Sequence, residues 1–137
     1  MTTTPTTTTT APDPVRRLLD AIAAGAGMPD GLFTDDVVFD ATVPMWRYEA
    51  RGAAAVRSEL AKWYASPTAI EHVRRRPFAG GEAVEIDIAW SENGVPHAGH
   101  QLHLLTLDDG LIAADTVFCG GRWSADLLAD MEAARAH

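Results

Sequence analysis

The sequence has little of three things. It has one cysteine, Cys119, so an intrachain disulfide is excluded. It has few basic residues: 11 Lys and Arg stand against 19 Asp and Glu, for a formal charge of −8. That balance excludes a nucleic-acid partner, which needs clustered positive charge for the phosphates; the local "RRR" at 74–76 reads as a solvated strand edge. No apolar run approaches the ~20 residues of a membrane span. The opening "MTTTPTTTTTAPD" lacks the basic and apolar regions of a secretory signal. Residues 1–12 are thus expected to form a disordered Thr-rich tail, and 13–137 one domain in a cytoplasmic protein.

Helix and strand periods order the rest. Asp13-Pro14 is a cap and first-turn pair, and Val15, Leu18, Leu19 and Ile22 recur at helical spacing before Gly25. "DVVFDATV" (36–43) reads as a strand closed by Pro44. Gly52 opens a second helix with Val56, Leu60, Trp63 and Tyr64 on one face, and Ser66-Pro67 stops it. Four strand segments follow, punctuated by Gly80-Gly81, Asn93-Gly94 and Asp108-Asp109-Gly110. Ser124 caps a tail helix carrying Leu127, Leu128 and Met131. Helices gathered on one face of an antiparallel sheet make an α+β domain.

His97, His100 and His103 in "PHAGHQLH" raise the question of a metal. Pro96, Gly99 and the flanking turns make this a strand, so residues three apart face opposite ways. His97 and His103 share a face but lie roughly 20 Å apart, so one strand cannot offer all three to one ion. No metal and no cofactor are expected. A two-residue Asn93-Gly94 turn sets Val84 opposite His103, Ile86 opposite Gln101 and Trp90 opposite His97. His103 then stands on the apolar face of Val84, Ile86 and Ile88. A three-residue loop at 108–110 sets Asp115 directly opposite His103, within reach of an imidazole–carboxylate hydrogen bond. Such a pair is either a catalytic acid/base or an inert structural contact. His72 turns outward if the Gly80-Gly81 turn has two residues and inward if it has three. The other sheet face carries Leu102, Leu104, Ile112, Ala114 and Phe118; the tail helix can cover part of it, and a symmetric partner is expected to cover it, giving a homodimer.

"LFTDDVVFD", "RGAAAVRSELAKWY" and "LTLDDGLIAADTVF" resemble the nuclear-transport-factor-2-like superfamily, in particular SnoaL-like polyketide cyclases and ketosteroid isomerases. The resemblance covers residues 13 to 123. It implies a curved antiparallel sheet wrapped on helices, a cone-shaped, cystatin-like barrel with an apolar pocket. It further implies a cofactor-independent cyclase, isomerase or dehydratase acting on a small apolar carbonyl compound. His103 and Asp115 match the pocket His and acid/base Asp of the cyclases. Asp40 lies near the base of the isomerases and is either that base or a solvent-facing residue. The isomerases' tyrosine on the first helix has no match, since Arg17, Leu18 and Leu19 stand there. Trp46, Tyr48, Trp63, His72, Val84, Ile86, Trp90, Gln101 and Val117 are the expected substrate-binding residues. The alternative function is a non-catalytic carrier of a small hydrophobic ligand.

Overall fold

The computed structural model describes residues 13–136, so the expected tail at 1–12 lies outside the described residues. The elements run α1 (Pro14–Ala24), β1 (Phe33–Val43), β2 (Trp46–Arg51), α2 (Ala53–Trp63), β3 (Ala69–Phe78), β4 (Gly81–Glu92), β5 (Val95–Asp108), β6 (Leu111–Cys119), β7 (Trp123–Ser124) and α3 (Ala125–Arg135). Seven strands form one curved, unclosed sheet in the order β2-β1-β6-β5-β4-β3, with β7 on β5. The sheet is mixed rather than wholly antiparallel, because β1 runs parallel to β6. That pairing joins residues 76 to 79 apart in the chain, such as Phe39 with Asp115, and no local turn signal announces it.

α1 begins where its cap dictates. The Asp13 side chain accepts from the Arg16 backbone N–H at 3.1 Å, and Pro14 occupies the first turn. Gly25 ends it at φ +62; a side chain there would collide with the Ser66 backbone. Val15, Leu18, Leu19 and Ile22 are buried, each contributing roughly 1.5–3 kcal/mol by leaving water. Arg75 on β3 fastens this helix to the sheet edge through Asp13, at 3.1 Å, and through Glu82. Arg75 holds the Asp13 carboxyl below its usual range.

Buried and less buried residues alternate along β4, the middle of β5 and the second half of β1. On β4, Glu82, Val84, Ile86 and Ile88 are buried; on β5, Gly99, Gln101, His103 and Leu105; on β1, Val37, Phe39 and Ala41. β6 departs from the alternation. Ile112 is fully buried, and so are Asp115 and Val117, because the register with β5 shifts between Thr106 and Leu107 and leaves Ala113 unpaired. The expected outward position of Ile112 is therefore wrong: the bulge turns it into the core. α3 starts at Ser124, whose hydroxyl accepts from the Leu127 N–H at 3.5 Å. None of its residues is buried. Leu102 and Leu104 are half-buried on the outer sheet face, and Phe118 beside them is exposed.

Candidate functional site

The hairpin geometry that positions His103 comes directly from Asn93-Gly94. Both residues have positive φ, 51° and 78°, as a two-residue hairpin turn of the favoured twist requires. Val84 faces His103, Ile86 faces Gln101 and Trp90 faces His97, as the turn dictates. The next hairpin differs from expectation. Its loop is the two residues Asp109-Gly110, with Asp108 paired to Leu111. The Ala113 bulge then shifts the ladder again, so His103 pairs with Val117 and Asp115 with Leu105. The two departures amount to a slip of two residues. Asp115 keeps the same face and stands diagonal to His103 instead of directly across.

The diagonal is short enough. His103 Nδ1 lies 3.0 Å from both carboxylate oxygens of Asp115. His103 is 1% exposed and Asp115 0%. On the other side of the ring, Nε2 lies 3.0 Å from Gln101 Oε1. The Tyr64 hydroxyl donates to that same oxygen at 2.6 Å and stands 3.5 Å from His103 Nε2. Gln101 Nε2 in turn donates to Cys119 Sγ at 3.7 Å. In this arrangement both ring nitrogens face oxygen acceptors, which suits an imidazolium. A half-turn of the Gln101 amide presents an N–H to Nε2 and suits the neutral ring. The amide thus fits either protonation state of the imidazole. Burial raises Tyr64 well above the ordinary phenol range, and the nearby Asp115 and Cys119 add to the rise. Its proton is held firmly, and the residue is a neutral hydrogen-bond donor.

Two adjoining cavities open beside this network, of about 550 and 290 Å³. Ligand sites span about 300–1,000 Å³, so the larger is of useful size. Val43, Pro44, Tyr48, Trp63 and Cys119 wall it, with Glu59, Lys62 and Arg122 as its charged members. The smaller is lined by Trp63, Tyr64, Ile88 and Trp90, and shares Lys62 and Arg122 with the first. Trp63 belongs to both and packs edge-on against Phe39 and Tyr48, at 5.5 and 5.6 Å between ring centres. Arg122 lies over the Trp90 ring at 5.7 Å and also pairs with Glu92.

The expected substrate-binding residues divide accordingly. Tyr48, Trp63 and Trp90 line the cavities. Val84, Ile86 and Val117 are core residues that line neither, and Gln101 touches them only through Tyr64 and Cys119. Trp46 is 67% exposed at the start of β2 and lines neither cavity. His72 points outward, because Phe78 pairs with Gly81 across a two-residue turn, and its Nδ1 lies 3.4 Å from Asp87. Asp40 is also outside. Its neighbours Phe39 and Ala41 take the inward places on β1, and Arg47 holds its carboxylate with two hydrogen bonds, at 2.9 and 2.7 Å. Those bonds keep it below the usual carboxylate range. Asp40 does not belong to the cavity.

The other two histidines of β5 lie apart from His103. His97 stacks on Trp90, and His100 is gripped on the outer face by Asp87 and Glu85 at 2.5 and 2.8 Å. Sequence reasoning passed over Glu59 and Lys62. Glu59 precedes Trp63 by one helical turn and borders the Val56–Leu60 stripe, a spacing that marks the rim of a buried face without distinguishing cavity from solvent.

No protein-family model matches the chain, and no curated protein does. Solved structures do. A protein with a cystatin-like fold from Xanthomonas campestris superposes with a TM-score of 0.61 at 21% identity, covering 86% of this chain and 92% of that one. A nuclear-transport-factor-2-like protein from Burkholderia xenovorans gives 0.56 at 15%, covering 79% and 80%. An epoxide hydrolase of the LEH-like type from M. tuberculosis gives 0.57 at 15%, covering 80% and 81%. Identities this low speak for architecture alone, since one fold hosts many chemistries. The chain has the cystatin-like, nuclear-transport-factor-2-like α+β fold, one that carries enzymes among its neighbours.

Proposed function

We propose that the protein is a cofactor-independent acid/base enzyme of the SnoaL-like kind. It acts as a cyclase, isomerase or dehydratase on a small apolar carbonyl compound, of polyketide type, held in the cavity beside Trp63. The observation that carries this reading is the sealed His103–Asp115 pair and its hydrogen-bonded extension through Gln101 to Tyr64 and Cys119, both on the cavity walls. Asp115 balances the imidazolium. Tyr64 O–H turns its hydrogen bond from Gln101 to the carbonyl oxygen as charge develops there, keeping its proton, and His103 Nε2–H supports the Tyr64 oxygen from behind. A positioned acid/base contributes about 10²–10⁴-fold, and a preorganised donor in a dry site a comparable amount. The test is Asp115→Asn, with 2-tetralone as an apolar carbonyl probe. Proton exchange beside the carbonyl is lost while fold and probe binding persist; unchanged exchange refutes the assignment.

One observation favours the second reading, a non-catalytic carrier of a hydrophobic ligand: neither His103 nor Asp115 lines either cavity. A carrier binds its ligand without catalysing exchange at any pH, which separates the two.

A further inference from the structure

Acid/base chemistry at a carbonyl has two ends, a donor at oxygen and a base at carbon. The buried network serves the first. Neither acidic residue named so far serves the second: Asp40 is held outside by Arg47, and Asp115 is fully buried and lines neither cavity. We propose that Glu59 is the base that touches the substrate, an assignment that rests on the reading of this cavity as a site of proton abstraction.

Glu59 is the carboxylate in the wall of the 550 Å³ cavity. Its side chain is 21% exposed. α2 sets it one turn before Trp63, whose indole N–H donates to Oε2 at 3.2 Å. That bond spans one helical turn and fixes the carboxylate's orientation against the aromatic wall. Oε1 lies 3.9 Å from the Lys62 ammonium, beyond hydrogen-bond length, and stays available to receive a proton. The smaller cavity's carboxylate, Glu92, is instead occupied by Arg122 and by the Trp90 indole at 2.7 Å. Glu59 therefore combines what a general base at carbon needs: a place in the cavity, one oxygen anchored and one oxygen unengaged. The substrate class follows as a flat, apolar molecule with an acidified C–H, lying against Trp63 and Tyr48.

5-Nitrobenzisoxazole tests this without an oxygen-side donor. The carboxylate takes the ring C–H proton, the N–O bond breaks with its electron pair going to oxygen, and a nitrile and a coloured phenolate form. Glu59 then returns its proton to water. The wild-type chain is expected to outpace acetate at equal carboxylate concentration. Glu59→Gln, which still accepts from the Trp63 indole, lowers kcat at least tenfold with KM little changed. Glu59→Asp keeps part of the rate, and Glu132→Gln, on the exposed tail helix, keeps all of it. A wild-type rate no better than acetate overturns the assignment. So does full activity in Glu59→Gln with loss in Cys119→Ser, which would move the base to the thiol. Because this elimination needs no donor at a carbonyl, it reads Glu59 alone; exchange of 2-tetralone and its dependence on Asp115 read the buried network separately.

Discussion

Replacing one member of the His103–Asp115 pair should cost far more than replacing both. The two residues are 1% and 0% exposed and meet at 3.0 Å; Val84 and Val117 flank His103 on the neighbouring strands, and Leu105 and Phe39 flank Asp115. His103→Leu leaves the buried Asp115 carboxyl without its partner, and Asp115→Val leaves the buried His103 ring without its own. Breaking such a pair typically costs about 3–5 kcal/mol. At about 4 °C per kcal/mol for a domain of this size, the melting point falls by roughly 10–20 °C. The double variant leaves no orphaned charge, and apolar side chains of similar volume in place of a buried pair are often neutral or stabilising. Its loss should therefore be smaller than the summed single losses by at least ~2 kcal/mol. Urea denaturation of all four proteins at pH 7 measures that coupling. Additivity within about 0.5 kcal/mol, the behaviour of separate sites, would refute the contact between ring and carboxylate.

Three further outcomes follow from the fold. Ile112→Ala should cost about 2–5 kcal/mol in urea unfolding, because the Ala113 bulge buries Ile112 completely; a cost under ~0.5 kcal/mol would place it on the outer face and remove the bulge. Met45→Gly should raise stability by about 1 kcal/mol by thermal melting, since Met45 is 99% exposed at φ +68 in the Pro44-Met45 turn, where glycine is unstrained; a lower melting point would contradict the turn geometry. The Asp87 hydrogen bond, with Glu85 assisting, raises His100 above its ordinary value, and His100 lowers Asp87. The raised histidine contributes stability below about pH 6.5 that is lost as pH climbs through its folded value, and the lowered carboxylate contributes above about pH 3.9. His100→Ala should therefore cost most between about pH 4 and 6.5 and almost nothing by pH 9; half-exposed, the effect stays under ~1 kcal/mol, and a cost that grew toward pH 9 would reverse the argument.

Local chemistry made much of this visible in the sequence. Asn93-Gly94 admits one turn geometry, so the whole β4–β5 register could be read from two residues. Asp108-Asp109-Gly110 could be divided into a loop in two ways. The bulge that follows falls at Ala113-Ala114, where small side chains give no pattern to betray it. Two unseen shifts left the face of Asp115 correct and reversed that of Ile112. Asp40 was misleading for another reason. Its own alternation with Val37, Phe39 and Ala41 puts it outside, while its place in the sequence lies near that of the base in the ketosteroid isomerases that the chain resembles. The cavity was the least legible feature. Whether the Trp63 face of α2 meets core or void depends on β1, β6 and the loop at Gly121, which only the parallel β1–β6 pairing brings together.

Proton exchange beside a carbonyl reads out whether the His103–Asp115 pair takes part in catalysis. The chain is incubated with 2-tetralone in deuterated buffer, and loss of the α-proton signal is followed by NMR for wild type and Asp115→Asn. Exchange is expected well above buffer in the wild type and at least a hundredfold less in the variant, with the variant still folded and binding the ketone. Equal rates in the two proteins, or a wild-type rate no faster than buffer, would contradict it.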